Sequence, residues 1–218
     1  MTRRGRIALK VGVWLVGLAP LAWLSYRAWH GDLTANPISF VTNTLGDWTL
    51  RLLLASLAMT PLRLFFSLAW PATLRRLLGL FAFFYATLHF GVWLVLDHYF
   101  DWSEMGADIL KRRYITVGMT ALTLLIPLAV TSTSGMIRRL GGANWRRLHR
   151  LVYAAAVAAI FHFIWLAKVG RTDQYVYGAI LALLLGVRVA DAARRFFARR
   201  RAAAPRRLSR PSATSASL

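Results

Sequence analysis

Apolar residues in this chain gather into long runs separated by short stretches rich in arginine. Six runs are candidates for helices that cross a bilayer, at about 8–26, 48–67, 77–97, 114–132, 149–167 and 175–191. A hydrocarbon core of roughly 30 Å needs about 20 apolar residues in a helix. A membrane-spanning strand needs only about ten, with alternating polarity. The run lengths therefore predict an all-α integral membrane protein. They place a six-helix transmembrane bundle over residues 1–193 and a basic tail over 194–218. The tail mixes Arg, Ala, Ser and Pro with little to bury, so it is expected to be disordered or to lie on anionic headgroups.

Hydrophobic residues make up 57% of the 218, and their segregation favours one membrane domain over a soluble domain with a single core. The formal net charge of +20 would suggest nucleic acid if taken alone, but its distribution argues for topology instead. With the N-terminus inside, all but seven of the 28 basic residues fall on one side, accompanied by one acid, Asp191. The exceptions are Arg27, Arg51, Lys111, Arg112, Arg113, Lys168 and Arg171, which share the other side with the remaining seven acids. That asymmetry follows the positive-inside rule, so both termini are expected to be cytoplasmic, with no nucleic-acid partner. The arginines ahead of the first run also fit the start of a signal peptide. No small-residue cleavage site closes it, and WLSYRAWH (23–30) is a poor one, so the run is expected to stay as a helix.

The chain has no cysteine, which excludes disulfides, thiolate metal sites, iron–sulfur clusters and covalently attached c-type heme. Any metal cofactor must hang on histidine. No phosphate-binding or dinucleotide-binding glycine motif is present, and there is no convincing internal repeat.

Of the five histidines, His30 and His98 fall at the outer ends of runs 1 and 3, where water or headgroups are expected to satisfy them. His89 and His162 lie deeper, on runs 3 and 5, which cross in the same direction. His89 is 13 residues beyond Arg76 and His162 is 12 beyond Arg150. Both rings therefore sit about 18–20 Å above the cytoplasmic edge. Two parallel helices each offering one imidazole at one level suit the axial pair of a b-type heme. Phe81, Phe83, Phe84, Tyr85, Phe161, Phe163 and Trp165 would wall the porphyrin, and Gly91 would allow close approach. The competing reading makes the two histidines structural, hydrogen-bonded to neighbouring helices. A proton pathway is disfavoured, because no Asp or Glu lies mid-span.

His149 is 13 residues before His162 and belongs to an inner layer. Fourteen residues before His89 stands Arg75, on nearly the same helical face, in the place where a second histidine would be expected. Arginine is no ordinary iron ligand, but it can hold a propionate or phosphate. Thirteen residues turn about 220°, so His149 and His162 share one stripe only if the helix bends.

The strings RRLLGLFAFFYATLH (75–89), TSTSGMIRRLGGANWRRLHRLVY (131–153) and HFIWLAK (162–168) resemble the MsrQ (YedZ) family, as do NPI (36–38) and TPLR (60–63). The resemblance covers nearly the whole chain up to the basic tail. It also groups the chain with ferric-reductase-like transmembrane domains. It implies a heme-binding membrane subunit of the periplasmic methionine sulfoxide reductase system, in the bacterial inner membrane, with heme b and FMN as cofactors. Electrons would pass from the quinone pool to a periplasmic molybdopterin reductase that repairs oxidised methionines. The family's heme histidines fall on His89, His149 and His162, and its basic position on the third helix falls on Arg75. Ser39, Asn43 and Arg113 depart from the family pattern, all on the outer side. Two alternatives remain open: a stand-alone transmembrane ferric or quinone reductase, and a transporter or structural membrane protein without cofactor.

Overall fold

The computed structural model describes residues 2–67, 70–166 and 172–203. Its helices are α1 (Arg3–Trp29), α2 (Pro37–Phe66), α3 (Pro71–Val92), α4 (Trp102–Lys111), α5 (Arg113–Val130), α6 (Ser134–Leu140), α7 (Gly142–Leu148), α8 (Leu151–Leu166) and α9 (Asp173–Ala203). A π-helical turn, Trp93–Asp97, continues α3. No strand occurs among the described residues. Six segments are long and apolar enough to cross a membrane: α1, α2, α3 with its π turn, α5, α7 with α8, and α9. The chain is thus a multi-pass, all-α membrane protein, as its apolar runs predict.

Three boundaries differ from those runs. The second span begins at Pro37 rather than near 48, because Asn36 caps it by accepting from the Ser39 amide at 3.1 Å and Pro37 occupies its first turn. Its opening turns, SFVTNTLGDWT, look too polar for a span. Between spans three and four the chain forms a further helix, α4, whose first amides are capped by Asp101. The last helix runs to Ala203, ten residues into the stretch assigned to the tail, and 204–218 lie outside the described residues.

The interior is built on α2 against α3 and α5 against α8, with α9 laid on α2 and α8. Leu45, Leu53 and Leu57 meet Phe81, Ala82 and Tyr85, while Ala155 and Ala156 of α8 are fully buried. Small residues there let backbones approach where lipid supplies no hydrophobic drive.

Pro20, Pro61 and Pro127 stand inside spans and interrupt the helical ladder, and side chains from other helices bond to the backbone beside the first two. After Pro20 in α1, the Tyr85 hydroxyl donates to Gly17 O at 2.7 Å and accepts from the Leu21 amide at 3.2 Å. It is inserted between two groups that an unbroken helix would have joined directly. In α2, Pro61 lacks the N–H that would have bonded Leu57 O. The Arg188 guanidinium, reaching across from α9, donates to that carbonyl.

Candidate functional site

His89 on α3 and His162 on α8 lie on one cavity of about 600 Å³ enclosed by α2, α3, α5 and α8. Their ring centroids are 6.2 Å apart and their planes are 82° apart. The depth match read along the two runs is therefore a spatial one. Each imidazole is held in the same way. His89 Nδ1 is 2.8 Å from Thr42 O on α2, and His162 Nδ1 is 2.7 Å from Tyr114 O on α5. A carbonyl only accepts, so Nδ1 carries the proton and Nε2 is left with a free lone pair.

Four residues beyond each carbonyl stands a glycine. A Cβ on Gly46 would lie 3.2 Å from His89 ring atoms, and one on Gly118 would lie 2.7 Å from His162 Nδ1. A Cβ would collide with the imidazole at Gly118 and crowd it at Gly46, so the two glycines let the rings come close to the backbone. Gly91, expected to provide close approach, has nothing within 4 Å of its would-be Cβ. The aromatic wall is also different. Phe163 is the one residue of the expected set on this cavity, where Phe90, Trp93 and Tyr114 join it. Phe81 and Tyr85 are committed to α1, and Phe84, Phe161 and Trp165 are exposed on the bundle's exterior.

The arrangement suits one metal ion bound between two neutral imidazoles. At metal–nitrogen lengths of about 2.0–2.1 Å, the ring centres of such a pair lie roughly 6.3 Å apart. The hydrogen bonds to Thr42 and Tyr114 provide the outer-sphere support that fixes tautomer and orientation. Polar residues, among them Ser39, Asn43, Asp97 and Arg112, share this cavity with the apolar ones. Arg112 pairs with Asp108 at 3.3 Å and donates to the Tyr114 hydroxyl at 3.4 Å. Tyr114, with Asp108 behind it, pushes the guanidinium's pKa up, so it stays charged.

His98 is not solvated, contrary to expectation. It is buried, packed at a tilt against Trp93, with Nε2 3.2 Å from Asp108 and Nδ1 3.2 Å from Trp93 O. The signal was available in part: Asp108 lies within one short helix of it. His30 is exposed at the end of α1, as expected.

A second chamber of about 750 Å³ contains His149 and Arg75, the two residues assigned to an inner layer. The bend needed to bring His149 inward is a break in the helix, with α7 ending at Leu148 and α8 starting at Leu151. His149 stacks on Trp145 with centroids 3.9 Å apart, and its Nδ1 is 3.0 Å from Trp145 O. Trp145 in turn donates its indole N–H to Thr131 O at 3.0 Å. Ser132 approaches His149 Nε2 at 3.4 Å, but its hydroxyl proton goes to Leu128 O at 2.7 Å. The Leu128 carbonyl also acts on the His149 imidazole, so two backbone carbonyls, of Trp145 and Leu128, hold this ring.

Residues 45–160 match the family described as ferric reductase like transmembrane component. This stretch contains Gly46, Arg75, His89, Gly118 and His149 and stops two residues short of His162. A protein-methionine-sulfoxide reductase heme-binding subunit MsrQ from Rhodospirillum rubrum is 52% identical over 193 residues, covering 88% of this chain and 91% of the relative. The chain belongs to the MsrQ family. MsrQ relatives with the same description occur in Herminiimonas arsenicoxydans, at 50% identity over 83% of this chain and 84% of the relative, and in Ralstonia nicotianae, at 48% over 84% and 85%.

Proposed function

We propose that this MsrQ-family chain is the heme-binding membrane subunit of a protein-methionine-sulfoxide reductase system, and that His89 and His162 are the axial ligands of a b-type heme. The observation that carries this is the pair of imidazoles 6.2 Å apart, each with Nδ1 committed to a backbone carbonyl and Nε2 free. A heme bound there supplies one-electron chemistry. Thr42, Tyr114, Gly46 and Gly118 hold the two rings in place, while Leu50, Leu53 and Leu125 exclude water from the cavity's inner wall.

His149 and Arg75 form the layer where electrons enter, from quinol at the cytoplasmic edge or from FMN. The upper site lies nearer the opposite face, which suits a periplasmic molybdopterin-containing catalytic subunit as the acceptor. The bacterial inner membrane, with the basic ends inside, is the matching location.

The test is the visible spectrum of the purified protein before and after reduction. A b-type spectrum is expected in the parent and is expected to be lost in His89→Ala and His162→Ala, with both variants still inserted in the membrane. Full heme in both variants would remove the axial assignment. Co-purification with a periplasmic molybdoenzyme tests the partner.

A further inference from the structure

The short connection between the third and fourth spans carries apolar surface that the bundle leaves uncovered. Its helix, α4, has three faces. Met105 and Asp108 are buried against the bundle, where Asp108 meets His98 Nε2 at 3.2 Å and Arg112 at 3.3 Å. Trp102, Gly106 and Leu110, spaced four residues apart, form a second face, with Trp102 70% and Leu110 86% exposed. Glu104 and Lys111 are exposed on the third. At about 100° per residue, the Trp102–Leu110 face and the Glu104–Lys111 face point about 150° apart. One side of α4 therefore suits an apolar surrounding and the opposite side suits water.

The chain keeps α4 at the level where the spans end. The third span stops at Asp97 and the fourth starts at Arg113, so four residues join α4 to the one and a single residue joins it to the other. The longer connection is folded tight. Tyr99 and Phe100 take positive φ angles of 45° and 63°, and the Phe100 and Asp101 amides donate to Leu94 O at 3.1 Å and His98 O at 2.8 Å. The spans cross in alternate directions, so the last turns of α1 and α8 and the first turn of α9 lie at the same end of the bundle as α4. At that end Tyr26, Trp29, Tyr99, Trp102, Trp165 and Tyr175 are all exposed. At the arginine-rich end no exposed Trp or Tyr occurs among the described residues. Trp and Tyr collect where hydrocarbon meets headgroups, with the ring in the apolar layer and the polar atom in the wet one. Their gathering around α4 marks that boundary.

We propose that α4 is an interfacial helix whose partner is the lipid surface. It lies in the plane of the membrane boundary opposite the arginine-rich end, with Trp102 and Leu110 in the lipid and Glu104 and Lys111 turned to water. A helix of this kind sinks its apolar side by about 5–10 Å at the headgroup level. The consequence for the upper cavity is positional. Held by lipid on one side and by the bundle on another, α4 fixes Asp108, and Asp108 holds Arg112, which lines the cavity of His89 and His162. The inference needs only the membrane-spanning fold and stands apart from the heme assignment.

The chain has no cysteine, so a single labelled position needs no other change to the sequence. Trp102→Cys, Leu110→Cys, Glu104→Cys and Lys111→Cys are each labelled with bimane in the full-length protein, in nanodiscs of phosphatidylethanolamine and phosphatidylglycerol. Quenching by lipids brominated high on the acyl chain is compared with quenching by aqueous iodide, so that each label is its own reference. The ratio of lipid to iodide quenching is expected to be severalfold higher at 102 and 110 than at 104 and 111. Equal ratios at the four positions, or free access of iodide to 110, place the strip in water and overturn the proposal. Labels at 102 and 110 shielded from both quenchers overturn it as well, because the strip is then covered by protein, either a second copy or another partner. Leu110→Asp, combined with the label at 102, is expected to lift the helix and raise iodide access there. Unchanged quenching in that variant would overturn the anchoring role of the strip.

Discussion

Replacing Gly118 with alanine adds one methyl group where the bundle has no room for it. The new Cβ would lie 2.7 Å from His162 Nδ1, 3.0 Å from Cε1 and 3.2 Å from Cγ. Ordinary contact needs about 3.5–4.0 Å, so ring or helix must retreat by roughly 1 Å. His162 Nδ1 is 2.7 Å from Tyr114 O, and a retreat of that size stretches this hydrogen bond beyond its useful range. The imidazole then loses both its tautomer lock and its place opposite His89. Loss of such outer-sphere support typically costs about 10–100-fold in metal affinity. At Gly46 the would-be Cβ is 3.2 Å from His89, so Gly46→Ala asks for a shift of only a few tenths of an ångström and a smaller loss. Gly91→Ala meets nothing within 4 Å and serves as the control. It is expected to be neutral or to stabilise α3 by up to about 1 kcal/mol through helix propensity. The assay is heme retained per protein after purification, together with the spin state of the bound iron. The expected order of damage is Gly118→Ala, then Gly46→Ala, then Gly91→Ala. Full low-spin heme in Gly118→Ala, or damage in Gly91→Ala equal to that in Gly118→Ala, would refute the reasoning.

His149→Ala and Arg75→Ala are expected to slow heme reduction by quinol or reduced flavin while leaving dithionite reduction intact, and normal rates with both donors would remove the inner layer from the pathway. If a heme is held by both histidines, the 82° angle between their ring planes predicts a low-spin ferric signal of large g anisotropy in electron paramagnetic resonance, whereas a rhombic signal typical of parallel planes would contradict the ring geometry. Tyr85→Phe strands Leu21 N–H and Gly17 O in the bundle, and a loss of about 1–3 kcal/mol is expected in thermal or denaturant unfolding. If the proposed periplasmic partner docks on the α4 side, charge reversal at the exposed Glu104 and Lys111 is expected to slow transfer to it without changing the heme spectrum, which stopped-flow reoxidation measures. Asp101 and Asp108 are unsuitable for that test, since one caps α4 and the other holds His98 and Arg112.

The features legible along the chain were those that depend on length and counting. Apolar run length located the six spans, and a fixed rise per residue put His89 and His162 at one depth because their helices cross in the same direction. The contacts those histidines make were hidden, since a carbonyl is present at every position and only a three-dimensional neighbour makes Thr42 or Tyr114 special. Gly46 and Gly118 carry a signal, as glycines within apolar spans, whereas Gly91 is close to His89 in sequence but opens no approach in space. The aromatic wall failed for a related reason. A span is hydrophobic all round, so its composition cannot tell Phe163, which faces the cavity, from Phe161, which is exposed. The structure also holds a local repetition that the letters conceal. Each histidine follows the residue providing its carbonyl, by 47 positions in one half and 48 in the other.

The tyrosine wedged behind Pro20 bears on the order in which the protein can be assembled. Its hydroxyl reaches α1 from 64 residues downstream of Leu21, so at about 5–20 residues per second it is synthesised roughly 3–13 seconds after the gap it fills. During that interval the Tyr85 bridge between Leu21 N–H and Gly17 O is missing from α1. The first helix therefore completes its folding only when the third arrives. A tightly joined pair of α1 and α2 is not a natural intermediate of this fold, and α1 is expected to be held by the insertion machinery or by interfacial water until α3 docks.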